Sequence, residues 1–261
     1  MTYRAHLNKI VDTATHLLAA RQAVALIGDA GVGKSRLAQR IASAFDPPFI
    51  SISGRPTLQE DSLVGHLAGY NRRVDIDRYV QSITRREEKV TIAWRDGPLI
   101  RAMTEGRILL LDEFNRISPA LQALLLPVLE DRQITLDRGE GQPTLVSAVE
   151  SFGMIMTGNR SDEIGLEPVT DALRDRMVQL DVPAPDDDAR ISAMSEAGIE
   201  YSRARELYQA IVSRHMHAGT SAPQSFRPYL AAARLVARIA PSGYEAPPLE
   251  LLDLLFPQVA A

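Results

Sequence analysis

Apolar and polar positions follow two different periods along the chain. Residues 23–27, 108–111 and 152–156 are short, unbroken apolar runs. Runs of that length without polar alternation predict strands buried on both faces, as in a parallel sheet. Residues 49–53 and 177–182 predict two more strands. Between these segments the period becomes helical. Leu7, Ile10, Val11, Ala14 and Leu17/Leu18 lie near one face of an N-terminal amphipathic helix over 1–20. Leu37, Ile41 and Phe45 recur at four-residue spacing until Asp46-Pro47-Pro48 stops the helix. Gly97-Pro98 opens a helix to about Met103, with proline at the tolerated first position. Ser118-Pro119 caps another, whose apolar face is Leu121, Leu124, Leu125, Val128 and Leu129; Pro127 is expected to bend it. Residues 169–176 predict a short helix.

Residues 133–148 predict a hairpin turning at Arg138-Gly139-Glu140-Gly141. The segment from 54 to 93 is less regular. Between 72 and 89 it sets Arg72, Arg73, Arg78, Arg85, Arg86 and Lys89 against four acids. A solvated helix face explains that stretch as well as a surface insertion contacting a partner. Pro183-Ala184-Pro185, followed by three aspartates, marks the clearest boundary. Beyond it the pattern is helical only, at about 187–197, 202–216, 225–239 and 248–255. Strands alternating with helices, then helices alone, predict an α/β domain over 1–183 and a small all-helical domain over 184–261.

Composition narrows the function classes. The chain has 261 residues, 45% apolar and 24% charged, which excludes a mostly disordered or collagen-like polymer. With no cysteine, disulfides, Cys-ligated zinc and thiolate catalysis are excluded, which fits a reducing cytoplasm. A net charge of −4 disfavours a broad basic nucleic-acid surface. No apolar run approaches the ~20 residues that span a bilayer, so no membrane insertion is expected. The five histidines have no zinc-type spacing, and there is no G-x-S-x-G nucleophile. Trp94 is expected to pack rather than to react. Of 29 basic residues only Lys9, Lys34 and Lys89 are lysine.

Lys34 stands in Gly28-Asp29-Ala30-Gly31-Val32-Gly33-Lys34-Ser35, a full G-x-x-x-x-G-K-[ST] motif with a strand before it and a helix after. The glycines let backbone N–H groups curl around a phosphate chain, and the helix N-terminus adds its positive end. Lys34 is expected on the β- and γ-phosphates of a nucleotide and Ser35 on Mg²⁺. Asp112 and Glu113 end an apolar strand, where carboxylates are otherwise poorly explained. Asp112 suits Mg²⁺, and Glu113 suits a base or polariser for the attacking water. The long gap between Lys34 and Asp112 leaves room for a strand between the two site strands. Asn159 ends a strand of the same kind, which would bring its amide to the γ-phosphate if that strand is the intervening one. Arg174 and Arg176 are two apart and cannot share a helix face, so at most one aims at a given phosphate. Arg227, opening a helix in the C-terminal domain, could reach back over its own nucleotide.

Together these residues resemble the MoxR branch of the AAA+ ATPases. The likeness is carried by Gly97-Pro98-Leu99, Asp112-Glu113-Phe114-Asn115-Arg116 and Asp175-Arg176-Met177. Within the branch the chain is most similar to the gas vesicle protein N family. That likeness rests on Ser62-Leu63-Val64-Gly65, Gly69-Tyr70-Asn71-Arg72-Arg73, Glu87-Glu88 before Trp94, and Thr170-Asp171-Ala172-Leu173. The Asn115 position is closer to the general MoxR pattern. The resemblance covers about residues 20–182.

The resemblance implies an AAA+ P-loop fold, a parallel sheet sandwiched by helices with a C-terminal helical lid. It implies a homo-oligomeric ring, usually a hexamer, that hydrolyses ATP with Mg²⁺ between subunits. Arg176 would be a finger in trans, Asn159 the first sensor and Arg227 the second. Residues 66–93 would be an insertion near the second helix, and 133–148 a hairpin before the sensor strand. Two roles follow by resemblance. One is assembly of a gas vesicle, with gas vesicle proteins as clients. The other is activation of a metalloenzyme with a partner carrying a von Willebrand A domain. A nucleic-acid motor and a slow monomeric switch remain as competing uses of the same core.

Overall fold

The computed structural model describes residues 2–80, 83–138, 142–160 and 169–239, with backbone alone for 69–80, 83–93 and 239. The expected helices 248–255 and the turn at 139–141 lie outside the described residues.

A parallel sheet of five strands carries the fold: β1 (Ala23–Ile27), β2 (Ile50–Ser53), β5 (Ile108–Asp112), β8 (Gly153–Gly158) and β9 (Met177–Asp181), in the order β2-β5-β8-β1-β9. The three inner strands are the three unbroken apolar runs, and their side chains are buried almost throughout. The two edge strands alternate, because one face of an edge strand meets less covering structure. β2 and β8 flank β5 in register, with Ser53 opposite Asp112 and Leu111 opposite Met156. β8, which follows Asp112 in the chain, lies between β5 and β1, whereas β2, the sheet strand from the gap between Lys34 and Asp112, lies on the outer side of β5.

The flanking helices follow the predicted faces. They are α1 (Tyr3–Ala19), α2 (Lys34–Ala42), the single turn α3 (Glu60–Leu63), α4 (Pro98–Glu105), α5 (Pro119–Glu130) and α6 (Asp171–Arg174). On α1 the buried positions are Tyr3, Ile10, Ala14 and Leu18. α2 ends at Ala42, so Phe45 lies beyond the helix and not on its core face. α4 has proline at its start and buries Leu99, Ile100 and Met103. The Ser118 hydroxyl accepts the Leu121 N–H at 3.3 Å and opens α5, which continues through Pro127.

The solvated-helix reading of 72–89 is wrong. β3 (Gly65–Val80) and β4 (Ile83–Asp96) pair antiparallel from Gly65 opposite Asp96 to Val80 opposite Ile83. Over 73–77, Val74 and Ile76 alternate with Arg73, Asp75 and Asp77, while Arg72 and Arg78 outside that stretch fall on the apolar parity. The alternation is a period of two, which no helix face can use. The hairpin predicted over 133–148 forms from β6 (Gln133–Leu136) and β7 (Thr144–Ser147). Trp94 donates its indole N–H to Asp96 at 2.8 Å, and Arg138 donates to the same carboxylate at 3.2 Å.

The chain divides into two compact units. One holds the described residues of Met1–Thr13, Leu26–Leu37 and Leu180–Ala261; the other holds Ala14–Ala25 and Ala38–Gln179. The first contains α7 (Asp187–Glu196), α8 (Tyr201–His217) and α9 (Arg227–Ile239), packed through Ile191, Met194, Leu207, Ile211 and Tyr229. The second contains β2, β5, β8 and both hairpins.

Leu109→Ala, at a fully buried β5 position, is expected to cost about 2–5 kcal/mol. Leu145→Ala, at an exposed hairpin position, should stay within about 0.5 kcal/mol. Urea unfolding of both variants checks the contrast.

Candidate functional site

In the first unit the P-loop is shaped by its backbone. Val182 donates its N–H to the Ile27 carbonyl at 2.7 Å, and a Cβ on Gly28 would stand 2.5 Å from the Val182 carbonyl oxygen. Only glycine lets the strand exit so close to its neighbour. Gly31 and Gly33 have φ of +75° and +95°, the left-handed region that side chains avoid. This curls residues 28–33 ahead of α2, whose first-turn N–H groups have no acceptor within the helix. Lys34 is buried, and its ammonium donates to the carbonyls of Gly28 at 2.8 Å and Asp29 at 2.7 Å. Ser35 is the second residue of α2.

The same unit places a cover against this loop. Phe226 donates its N–H to the Gly31 carbonyl at 3.0 Å. A Cβ on Gly31 would stand 2.8 Å from Ser225 Cβ and 3.3 Å from Arg227 Cγ. Arg227 is thus brought to the P-loop. The segment before it is held from α7, where Arg190 donates to the Gln224 carbonyl and amide oxygens, each at 3.2 Å. Tyr229 adds a bond from its hydroxyl to the Pro223 carbonyl at 3.1 Å.

From α1, the Tyr3 hydroxyl donates to the Val32 carbonyl at 3.1 Å, and its ring meets Phe226 edge-on at 6.0 Å. Burial pushes the Tyr3 phenol up to about 12, with the Asp186 carboxylate adding to the shift, so it stays a donor at neutral pH. Asp186, read from the sequence only as a boundary residue, accepts the Tyr3 and Ala189 N–H groups.

In the second unit the acid pair sits where β5 ends. Gly54 donates its N–H to the Asp112 carbonyl at 2.6 Å, and a Cβ there would stand 2.3 Å from the Glu113 carbonyl oxygen. Glu113 turns into the left-handed region, φ 55° and ψ 45°, and starts a single 3-10 turn over Phe114–Arg116. Its carboxylate lies 2.8 Å from Arg116 Nε, a charge contact without hydrogen-bond alignment. Thr157, fully buried on β8, donates its hydroxyl to Asp112 Oδ1 and accepts the Glu113 N–H at 3.1 Å. Asn115 donates its side-chain amide to the Asn159 carbonyl at 2.9 Å. Asp112, Glu113 and Asn159 are therefore linked through Thr157 and Asn115, side chains to which the sequence reading gave no role in the site.

Arg176 is held by α5 and α6. Its guanidinium donates to Glu130 at 2.7 and 3.0 Å and to the Ala172 carbonyl at 2.8 Å. Arg174 reaches Asp171 only at 3.8 Å. Thr170 caps α6 and donates its own N–H to the buried Gln122 at 3.0 Å, so α5 positions the start of α6 as well.

Tyr3, Gly54, Asn115, Arg116, Thr157 and Phe226 are the residues to which sequence reasoning gave no role in the site. The Thr157-Gly158-Asn159 strand end carried the one usable signal, a hydroxyl beside a candidate site residue on an apolar strand.

Gly54→Ala should cost about 1–3 kcal/mol, because the new methyl must displace the backbone under the acid pair. Thermal unfolding measures it; an unchanged midpoint would show that the strand end has room.

Residues 23–177, more than half of the chain, match the AAA domain family, dynein-related subfamily. The gas vesicle ATPase GvpN of Ancylobacter aquaticus is 31% identical over 214 residues, 82% of this chain and 59% of its own. The gas vesicle ATPase GvpN of Haloferax mediterranei is 35% identical over 157 residues, 60% of this chain and 45% of its own. The chain spans about half the length of these curated relatives. NtrX from Brucella abortus, solved in complex with ADP, is 17% identical and superposes with a TM-score of 0.59, covering 90% of this chain and 50% of that one, a likeness of fold. The match over 23–177 makes this chain a member of the AAA domain family, dynein-related subfamily.

Proposed function

We propose that the chain binds ATP and hydrolyses it with Mg²⁺, and that it works as a subunit of a homo-oligomeric ring that remodels or assembles protein. The observation that carries the ATPase reading is the left-handed Gly31–Gly33 loop running into α2 with Lys34 buried at its head. A polyphosphate oxygen is a stronger partner for the Lys34 charge than the neutral Gly28 and Asp29 carbonyls.

The residues present fit Mg²⁺. Ser35 supplies a hydroxyl and Asp112 a carboxylate, the hard oxygen donors the ion prefers, and both would hold it. When bound, the ion neutralises charge on the phosphates. Gly28, Asp29, Ala30, Gly31, Val32 and Gly33 wrap the phosphates with backbone N–H groups. Glu113 accepts the proton of the attacking water once it leaves Arg116. Asn159 orients that water or the terminal phosphate. Arg176 leaves Glu130 to reach a neighbouring subunit's nucleotide, and Arg227 binds its own.

The sequence likeness to gas vesicle ATPases supports a gas vesicle protein as client and a cytoplasmic, gas-vesicle-associated location. The acidic net charge supports a protein client over nucleic acid. Among the described residues no helix is long and apolar enough to cross a membrane.

Lys34→Ala is expected to weaken ATP binding about 10–100-fold in equilibrium titration; unchanged affinity would overturn the P-loop assignment. Glu113→Gln should bind ATP yet hydrolyse it about 10²–10⁴ times more slowly. Locked with ATP in the native host, the same variant should retain gas vesicle proteins. Recovery of a von Willebrand A domain partner instead would move the client reading to metalloenzyme activation. Arg176→Ala mixed with Lys34→Ala should regain activity if the arginine acts across subunits, whereas co-assembled but inactive mixtures would remove it from that role.

A further inference from the structure

The hydroxyl of Thr157 makes two bonds of opposite sense, to Asp112 and from Glu113. It donates a hydrogen bond to Asp112 Oδ1 and accepts one from the N–H of Glu113 at 3.1 Å. A serine, threonine or similar group is the only kind of side chain that can do both from one atom. Thr157 lies on β8, next to β5 in the sheet, with Leu111 opposite Met156 in register. The adjacent residues, Asp112 and Thr157, therefore meet at the matching strand ends.

We infer that Thr157 is a positioning residue for ATP hydrolysis: its hydroxyl orients the Asp112 carboxylate and holds the Glu113 backbone in its left-handed turn. The inference rests on the ATPase reading. Glu113 has a φ of 55°, a region in which non-glycine residues are uncommon and which an external bond must maintain. The bond from its N–H to Thr157 is that restraint. The turn decides where the Glu113 carboxylate starts, and its present partner Arg116 lies three residues on, within the same turn. Asn115 completes the brace by tying the same turn to the Asn159 carbonyl. One hydroxyl thus aligns the metal-holding acid and the water-activating acid, while the Asn115 amide holds the backbone of the sensor.

A purely structural threonine predicts something different. Thr157 is 1% exposed on a strand whose neighbours are all apolar. If only packing mattered, valine, with nearly the same shape, would serve as well as threonine. Serine would then be worse, because it loses a buried methyl group. Positioning reverses that order, since serine keeps both hydrogen bonds and valine keeps neither.

The test compares wild type, Thr157→Val, Thr157→Ser and Glu113→Gln in one steady-state ATPase assay. Binding of a fluorescent ATP analogue is measured alongside, in EDTA and in Mg²⁺, with thermal unfolding as a check on folding. Thr157→Val is expected to lower kcat at least about tenfold. Its KM and its analogue affinity in EDTA should stay within about twofold of wild type, while the gain in affinity on adding Mg²⁺ shrinks. Thr157→Ser should keep kcat within about threefold, even if it melts earlier than Thr157→Val. The inference is overturned if Thr157→Val turns over like wild type while Glu113→Gln does not. It is also overturned if Thr157→Ser loses kcat as deeply as Thr157→Val, or if both lose analogue binding in EDTA. A wild-type protein that hydrolyses no ATP would instead sink the ATPase reading, and the inference with it.

Discussion

A strand buried on both faces can present polar chemistry only at its ends, and the three inner strands of this sheet obey that constraint. β1, β5 and β8 carry apolar side chains along their length. Each then ends in residues that an apolar core would not keep: Gly28 after β1, Asp112-Glu113 at β5, and Thr157-Gly158-Asn159 at β8. Because a parallel sheet points its strands the same way, their C-terminal ends share one edge. Within the second unit this brings Asp112-Glu113 to Thr157 and Asn115 to Asn159, and the same apolar packing that stabilises the strands orders those residues.

Close backbone approach is the second requirement. Gly28, Gly31 and Gly54 each stand where a Cβ would meet another chain segment within 3 Å. At Gly28 and Gly54 the obstruction is a backbone carbonyl, which cannot rotate away as a side-chain tip can. At Gly31 it is Ser225, so the glycine that curls the P-loop also admits the segment that carries Arg227. That segment is fixed by Arg190, a buried arginine whose charge is met by Asp187 at 2.9 Å and by the oxygens of Gln224. Truncating such a group would leave charge unpaired in the interior, a larger penalty than losing a surface pair.

Two charged groups of the proposed mechanism are parked on partners of their own chain. Glu113 rests against Arg116, and Arg176 against Glu130. Both pairs are partly exposed, and exposed ion pairs are worth about 0–1 kcal/mol. Such contacts hold the side chains in defined places yet can be exchanged for a stronger partner at small cost. A fully buried pair would resist the exchange.

Local pattern determined the inner strands, the P-loop, the acid pair, the capped helices and the hairpin at 133–148, because each depends on neighbours within one element. A period-two alternation over 73–77 was also present in the sequence, but it is short, arginines fall on both parities around it, and charge says little about backbone form. Tertiary structure alone decided which hydroxyl meets Asp112, which glycine underlies Glu113, and which aromatic side chain covers Val32. Those contacts join residues 29 to 59 positions apart. Thr157 shows the reason most plainly. As a polar residue on an apolar strand it is only an oddity in the sequence, and it becomes a restraint on two carboxylate-bearing residues only when β8 pairs with β5.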